Sequence, residues 1–589
     1  MCGICGEFRF DNIKISDVRS HNMMKAITPR GPDHTGEFKD KNIFLGHKRL
    51  SVIDVSSRSN QPMEDNNLVI VFNGVIFNYK KLRDKLIKKG YNFFSDGDTE
   101  VILKCYLYYG EELVNHLDGV FSLSIYDKNT NELFCARDRL GIKPFYYIYT
   151  RDAFSFASNT KALIKNVDNL SINNESLHYQ FTLHSVVPAP NTIISNIHKL
   201  EPGSFIKINS NGEMIKGKYY SFNHIKLNNN IDEREIIEET ERLLLNAIEK
   251  RFYTADVDVG VLLSGGLDSS LIVAMAAKHN LSDINTYSIG FPTIDNEEGN
   301  EFYYSNMVSS KFKTNHHTYN ITQDKLFKSL DDVIRAMPEP MFSQDSAAFY
   351  LLAKEVSSKQ KVVLSGQGAD ELFGGYFWYK KMHDTKGSDV DRFKKHYFDR
   401  DHENYCALIN KSFVSQDHTI SLVEKLYEYQ RKDISFLDKT LRIDLSTLII
   451  DDPVKRVDSM TMSNGLETRV PFLDRDLVEF VLSIPSLNKL KNDGKYYLKK
   501  VAEKYLDQEL IYRDKFYFPV PPLKILQENF YAYVKSVLTS NSCKGRNLYN
   551  RKYIEKLLGE PNKNFTKLNG NTLWHLCLLE RWFQLNIDS

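Results

Sequence analysis

The sequence predicts two unlike halves: an α+β domain of antiparallel strands, then an α/β domain on a parallel sheet with a helical C-terminal part. Short β segments separated by turns fill residues 1–165, and after Glu233 apolar strands alternate with helices. Beyond Arg392 helical patterns dominate. At 589 residues the chain is too long for one hydrophobic core, so several domains are expected.

Segments 43–50, 68–73, 120–127, 132–137 and 145–149 are short, rich in Ile, Val, Phe and Tyr, and read as strands. Asp127-Lys128-Asn129-Thr130-Asn131 is one of the turns between them. Helical patterns cover 78–89 and 98–109. Residues 166–235 read as transitional. They hold the Pro-rich Val187-Pro188-Ala189-Pro190, a hairpin over 203–220 turning at Asn209-Ser210-Asn211-Gly212, and a linker at 216–235, most polar over 221–232. The second half opens with an i, i+3, i+4 helix at 236–251. Apolar strands at 257–263, 285–290 and 361–364, with a helix at 267–278 after the first, indicate a parallel sheet buried on both faces.

Lys+Arg and Asp+Glu nearly cancel, 77 against 76, so no net field draws nucleic acid or an anionic membrane. No apolar run is long enough for a membrane-spanning helix, and the N-terminus lacks a signal-peptide pattern. Seven cysteines, odd and sparse, argue for a reducing compartment, and the expected location is cytoplasmic.

Cys2 follows the initiator methionine. Once that methionine is removed, the Cys2 α-amine, a group that ordinarily titrates at roughly 7.7–8.0, lies beside its own thiol and can serve as general base. The alternative is a C-x-x-C pair of Cys2 and Cys5 for redox or metal chemistry, although the second pair of a structural zinc site is missing. Four further motifs follow in order: Arg30-Gly31-Pro32-Asp33, His47-Lys48-Arg49-Leu50-Ser51, Phe72-Asn73-Gly74 and Gly97-Asp98-Thr99-Glu100. Singly they are bland, since Asn73-Gly74 is a hairpin-turn signal and a lone arginine is usually a solvated charge. With Met1-Cys2-Gly3-Ile4 they resemble the glutaminase domain of class II glutamine amidotransferases, an N-terminal-nucleophile fold of four αββα layers. The resemblance implies that Cys2 attacks the γ-carboxamide of glutamine and releases ammonia. It implies that Arg49 holds the α-carboxylate and Asp98 the α-ammonium. Asn73 (side-chain amide) and Gly74 (backbone N–H) would form the oxyanion hole. Val75 departs from many relatives, which carry Glu there.

The sharpest motif is Val261-Leu262-Leu263-Ser264-Gly265-Gly266-Leu267-Asp268-Ser269-Ser270. An apolar strand enters a Ser-Gly-Gly turn that opens a helix, giving close backbone approach, N–H donors and a positive dipole end for phosphate. It is not a P-loop. It resembles the S-G-G-x-D-S loop of ATP pyrophosphatases, which cleave ATP between the α and β phosphates and form an acyl-adenylate. A second strand–loop, Leu364-Ser365-Gly366-Gln367-Gly368-Ala369-Asp370, continues to Gly374-Gly375-Tyr376. By the resemblance, Leu263 and Ile289 line the adenine through backbone, and Ser264, Gly265, Gly266, Ser269, Ser365 and Gly366 hold the nucleotide. Asp268 and Asp370 would ligate Mg²⁺, which favours hard oxygen donors.

The stretches 462–474 and 494–499 complete the pattern of the glutamine-hydrolysing asparagine synthetase family, nearly end to end. Lys495 then neutralises charge developing at the adenylate, while Glu467 and Arg469 are either an ion pair or substrate contacts. The resemblance assigns 2–215 to the glutaminase, 216–235 to the linker and 236–589 to the synthetase. It implies glutamine, ATP and an acceptor carboxylate as partners, permits a homodimer, and calls for an apolar ammonia route between the domains. The acceptor is left open. Aspartate is one candidate. N-acetylglutaminylglutamine is the other, because 181–190, 398–402 and 451–456 resemble the branch that amidates it, and Gln367 stands where many members carry an acidic residue. Residues 516–522, aromatic and Pro-rich, are expected to be a substrate-facing loop.

Overall fold

The computed structural model describes residues 1–589 except 12, 166, 168, 169, 282, 515–519 and 589. The substrate-facing loop expected at 516–522 therefore lies mostly outside the described residues.

The N-terminal half contains two six-stranded sheets whose mapped pairings are antiparallel. Side-chain alternation makes them stack. In Leu68–Ile76, Val69 and Val71 face Ile4, Phe8, Ile43 and Leu45 of the other sheet. Leu68, Ile70 and Phe72 point the opposite way, onto the helices Tyr79–Ile87 and Asp98–Tyr109. On the outer face of the first sheet, Cys5 and Phe44 meet Met23, Met24 and Ile27 of the helix Asp17–Ile27. The result is the expected order of helix, sheet, sheet, helix. Asn73-Gly74 is no turn: the strand runs on to Ile76, with Gly74 opposite Phe121. A Cβ on Gly74 would lie 2.2 Å from the Val120 carbonyl oxygen, so only glycine fits.

The transitional reading of 166–235 needs correction. Asn174–Thr182 is a helix with Leu177 and Phe181 in a core, and Val186 and Val187 are buried beyond it. Phe222 and Ile225, in the expected linker, enter an apolar core that also holds Leu243, Leu244 and Ile248. The hairpin forms as expected, from Ser204–Ile208 and Met214–Lys218.

The second half is a five-stranded sheet with all mapped pairings parallel. Its order is Asn315–Asn320, Asn285–Gly290, Val259–Leu262, Val362–Leu364, Glu467–Arg469. The order reverses between Val259–Leu262 and Val362–Leu364, which opens a crevice at the strands' C-terminal ends. Glu467–Arg469 is an edge strand of polar residues that is nevertheless buried, because the N-terminal half covers it. Helices make up most of the rest. Two π-helical turns, Asp444–Leu448 and Ile450–Val454, interrupt one of them around Pro453. They lead into the helix Lys455–Met462.

That helix locks the halves together. Asp458 accepts from Arg30 Nη2 at 2.9 Å and Lys143 Nζ at 2.8 Å, and all three are buried. Burial raises the Asp458 pKa, but the two cations outweigh it and hold the carboxyl at about 2. A depressed carboxyl pKa stabilises the fold above the ordinary carboxylate range, and that contribution is lost as pH falls toward 2. Asp458→Asn leaves two buried cations without a counter-charge. It should destabilise the protein by about 3 kcal/mol, read by denaturant titration at neutral pH, and the difference from wild type should shrink in acid.

Candidate active site

The first pocket surrounds Cys2. It is lined by Met1, Cys2, Arg49, Leu50, Phe72, Gly74 and Asp98, and by Glu467 and Arg469 of the buried edge strand. The Cys2 amide donates to Asn73 Oδ1 at 3.0 Å, and Arg30 Nε donates to the Cys2 carbonyl at 3.1 Å. Cys2, Asn73, Gly74, Arg49 and Asp98 are thus brought together from four separate motifs. Burial pushes the Cys2 thiol above its ordinary range, opposed by the chain's terminal ammonium, the Leu50 amide and Arg49. Cys5 takes no part. It packs against Met24, with Sγ 3.7 Å from Met24 Sδ, and burial raises its pKa, which removes the C-x-x-C reading.

Asp98 opens the helix Asp98–Tyr109, and its Oδ2 accepts from the Ile76 amide at 3.1 Å. Burial raises its pKa to about 6, against that hydrogen bond. Arg49 already donates to the 53–60 loop. Nη1 reaches the Ser56 carbonyl and Asn60 Oδ1, both at 2.7 Å, and Nη2 reaches the carbonyls of Ile53, at 3.3 Å, and Asp54. A bidentate grip on a carboxylate therefore requires this loop to exchange partners. The cavity measures only about 30 Å³, too small for an amino acid until the loop shifts.

Of the two alternatives for Glu467 and Arg469, the ion pair is present. Arg469 Nε donates to Glu467 Oε1 at 2.6 Å, and both side chains line the Cys2 pocket. Glu467 also accepts from the Met1 ammonium.

The second pocket, about 340 Å³, sits in the sheet crevice. Leu263, Ser264, Gly266, Asp268, Ser269, Ile289, Ser365, Gly366 and Asp370 all line it. Gly265 lies in the same turn at φ 82°, a left-handed conformation suited to glycine. Ser264 and Ser269 hydroxyls lie 3.1 Å apart, and the Gly266 amide donates to Ser264 Oγ at 3.3 Å. Gly266 caps the helix Leu267–Lys278, so its first N–H groups face the pocket mouth. The Leu263 amide is spent on the Tyr287 carbonyl at 2.8 Å, which fixes the strand end.

Lys495 is the centre of this pocket. Its ammonium lies 2.8 and 2.6 Å from the Asp268 oxygens and 2.9 Å from Asp370 Oδ1. Burial disfavours the charge, yet the two carboxylates hold the pKa above the ordinary lysine range. Gly375 packs so closely that a Cβ there would lie 2.3 Å from both Asp370 Oδ1 and Lys495 Cε. Sequence reading gave Arg456 no role beyond membership of the stretch 451–456 and did not single out Asp345, with which it pairs at 2.8 Å in the pocket wall, or Arg513, which ion-pairs with Glu301 and donates to the Gly265 carbonyl at 3.1 Å. They come from distant segments, and no contiguous motif unites them.

Residues 239–584 match the asparagine synthase family, and residues 1–220 match the glutamine amidotransferase domain family. The chain belongs to the asparagine synthase family. It is 29% identical to the glutamine-hydrolysing asparagine synthetase 1 of Bacillus subtilis (strain 168), over 100% of this chain and 97% of that protein. Asparagine synthetase 3 of the same organism is 28% identical, with 100% of both chains covered. A putative asparagine synthetase 2 of Methanocaldococcus jannaschii is 35% identical over 64% of this chain and 76% of its own. Membership of the asparagine synthase family implies ATP use. The two pockets meet at the strand Glu467–Arg469. Its side chains Glu467 and Arg469 wall the Cys2 pocket, while the Arg469 carbonyl accepts from the Ser365 amide at 2.9 Å beside the crevice.

Proposed function

We propose that this chain makes asparagine from aspartate, with glutamine as nitrogen donor and ATP cleaved to AMP and pyrophosphate. The observation that carries this reading is the pair of pockets on opposite sides of one strand, one built on Cys2 and the other on the Ser264 loop and Lys495. Removal of Met1 converts the Cys2 amide, now bonded to Asn73 Oδ1, into an α-amine that takes the thiol proton. The thiolate attacks the glutamine γ-carbonyl, and the Asn73 amide with the Gly74 N–H stabilises the oxyanion. Ammonia leaves, and water cleaves the thioester. Arg49 and Asp98 fix the amino-acid end, with the 53–60 loop giving up Arg49 as glutamine enters.

In the crevice the Ser264–Ser269 loop and the helix N-terminus hold the phosphates of ATP, and the acceptor carboxylate attacks the α-phosphate. Asp268 and Asp370 converge on Lys495, and their hard oxygen donors fit Mg²⁺. That ion would neutralise the departing pyrophosphate. Lys495 then offsets charge at the acyl-adenylate as ammonia adds and AMP leaves. An apolar seam shared by the halves, with Leu50, Val52, Leu140 and Ile142 from one and Ile449, Ile450 and Val454 from the other, suits passage of uncharged ammonia. Seven free cysteines suit a reducing compartment, and we place the reaction in the cytoplasm.

Aspartate carrying ¹⁸O in its side-chain carboxylate should deliver label to AMP. Unlabelled AMP would remove the adenylate step. N-acetylglutaminylglutamine offered in parallel should yield no AMP; the reverse pattern would replace aspartate as acceptor and leave both pockets' chemistry intact.

The Asp98 carboxyl at about 6 sets a pH limb. A neutral carboxyl cannot pair with the substrate ammonium, so kcat/KM for glutamine should fall as pH drops through about 6. Asp98→Asn should raise KM and erase that limb. A limb that persists in the variant assigns it to another group.

A further inference from the structure

We propose that His184, Asp399 and His575 bind one transition-metal dication of the zinc class, which pins the N-terminal half to the C-terminal helices. The three ligand atoms lie within 4.8 Å of one another. His184 follows the helix Asn174–Thr182 and falls within the amidotransferase match, whereas Asp399 and His575 fall within the synthase match. His575 stands in the first turn of the helix Thr572–Asn586.

His184 Nδ1 lies 3.0 Å from Asp399 Oδ2. The other oxygen, Oδ1, accepts from the Leu568 amide at 2.9 Å, which orients the carboxylate. His575 is the second observation. It is 1% exposed, and neither ring nitrogen has a hydrogen-bond partner among the described residues. Its ring is fixed by stacking on Phe342, with centroids 4.4 Å apart and planes at 7°, and by an edge contact with His184 at 5.3 Å.

An imidazolium–carboxylate pair would account for His184 and Asp399 alone. It leaves a buried imidazole unpaired on both sides, a desolvation cost that native interiors avoid. A dication engages both imidazoles as neutral ligands and offsets the Asp399 charge. Two imidazoles and one carboxylate suit zinc, with water in a fourth position. His184, with 17% of its side chain exposed, provides the way in. A second cluster, His178, His402 and Asp417, has no comparable deficit. Both ring nitrogens of His178 are partnered, by Thr419 at 2.7 Å and His402 at 2.9 Å.

The test uses tag-free full-length protein, stripped with chelator and titrated with Zn²⁺ by calorimetry, with metal content measured in parallel. One equivalent per chain is expected. Affinity should fall about 100-fold or more in His184→Gln and in His575→Gln, and should be unchanged in His178→Gln. Co²⁺ titration of the wild-type chain needs no variant to fold and should give tetrahedral d–d bands without thiolate charge transfer. Four results overturn the proposal: no zinc bound by wild type, binding unmoved by either substitution, binding lost in His178→Gln, or a thiolate band. The last would place the metal at His402, whose Nε2 is 3.4 Å from Cys406 Sγ.

Discussion

Cys2→Ala should abolish glutamine-dependent amide synthesis and leave synthesis from ammonium salts at the wild-type rate. Removing a nucleophile from a site whose parts act as a unit costs roughly 10³-fold or more. Alanine keeps the backbone, so the Cys2 amide bond to Asn73 and the Arg30 bond to the Cys2 carbonyl survive. The Arg30–Asp458–Lys143 lock is also untouched. The crevice pocket contains no residue of the Cys2 site, so the adenylating chemistry has no reason to change. Steady-state rates with each nitrogen source, on a variant with wild-type denaturation behaviour, measure the split. Loss of both activities in a folded variant would refute the division of labour.

Lys495→Ala should have the opposite signature, with product formation down by about 10²–10³-fold and glutamine still hydrolysed. Lys495 is a shared counter-charge of Asp268 and Asp370, and its removal takes one cation from two partly buried carboxylates. The variant should therefore also be less stable in denaturant titration. Lys495→Arg should not rescue the rate, because a planar guanidinium cannot replace a compact ammonium where Gly375 leaves so little room. Glutamate release without AMP formation in the same assay identifies the uncoupled enzyme. Normal AMP formation would remove Lys495 from the reaction.

The crevice pocket was legible because its parts are contiguous. A strand, a Ser-Gly-Gly turn and a helix start in ten residues state their own geometry, and the crevice formed where that motif stands. The Cys2 pocket was legible only as an ordered set of motifs. Asn73-Gly74 shows why local reading fails: pairing of Gly74 with Phe121 overrides a strong turn signal. The strand His34–Asp40 escaped notice because it is a half-exposed edge with little apolar alternation. Least legible were long-range charges. Asp458 meets Arg30 across 428 positions and Lys143 across 315, and no spacing rule links residues so far apart. Arg49 lines the Cys2 pocket, but its grip on the 53–60 loop depends on loop closure, which one-dimensional patterns do not encode.

The central claim is that nitrogen released at Cys2 reaches the crevice without mixing with solvent. The direct measurement supplies glutamine labelled with ¹⁵N in its amide, aspartate and ATP in the presence of excess unlabelled ammonium, and reads isotope in the product by mass spectrometry. The account predicts that the product amide carries the glutamine label throughout turnover. Product labelled only in proportion to the mixed ammonium pool would contradict it.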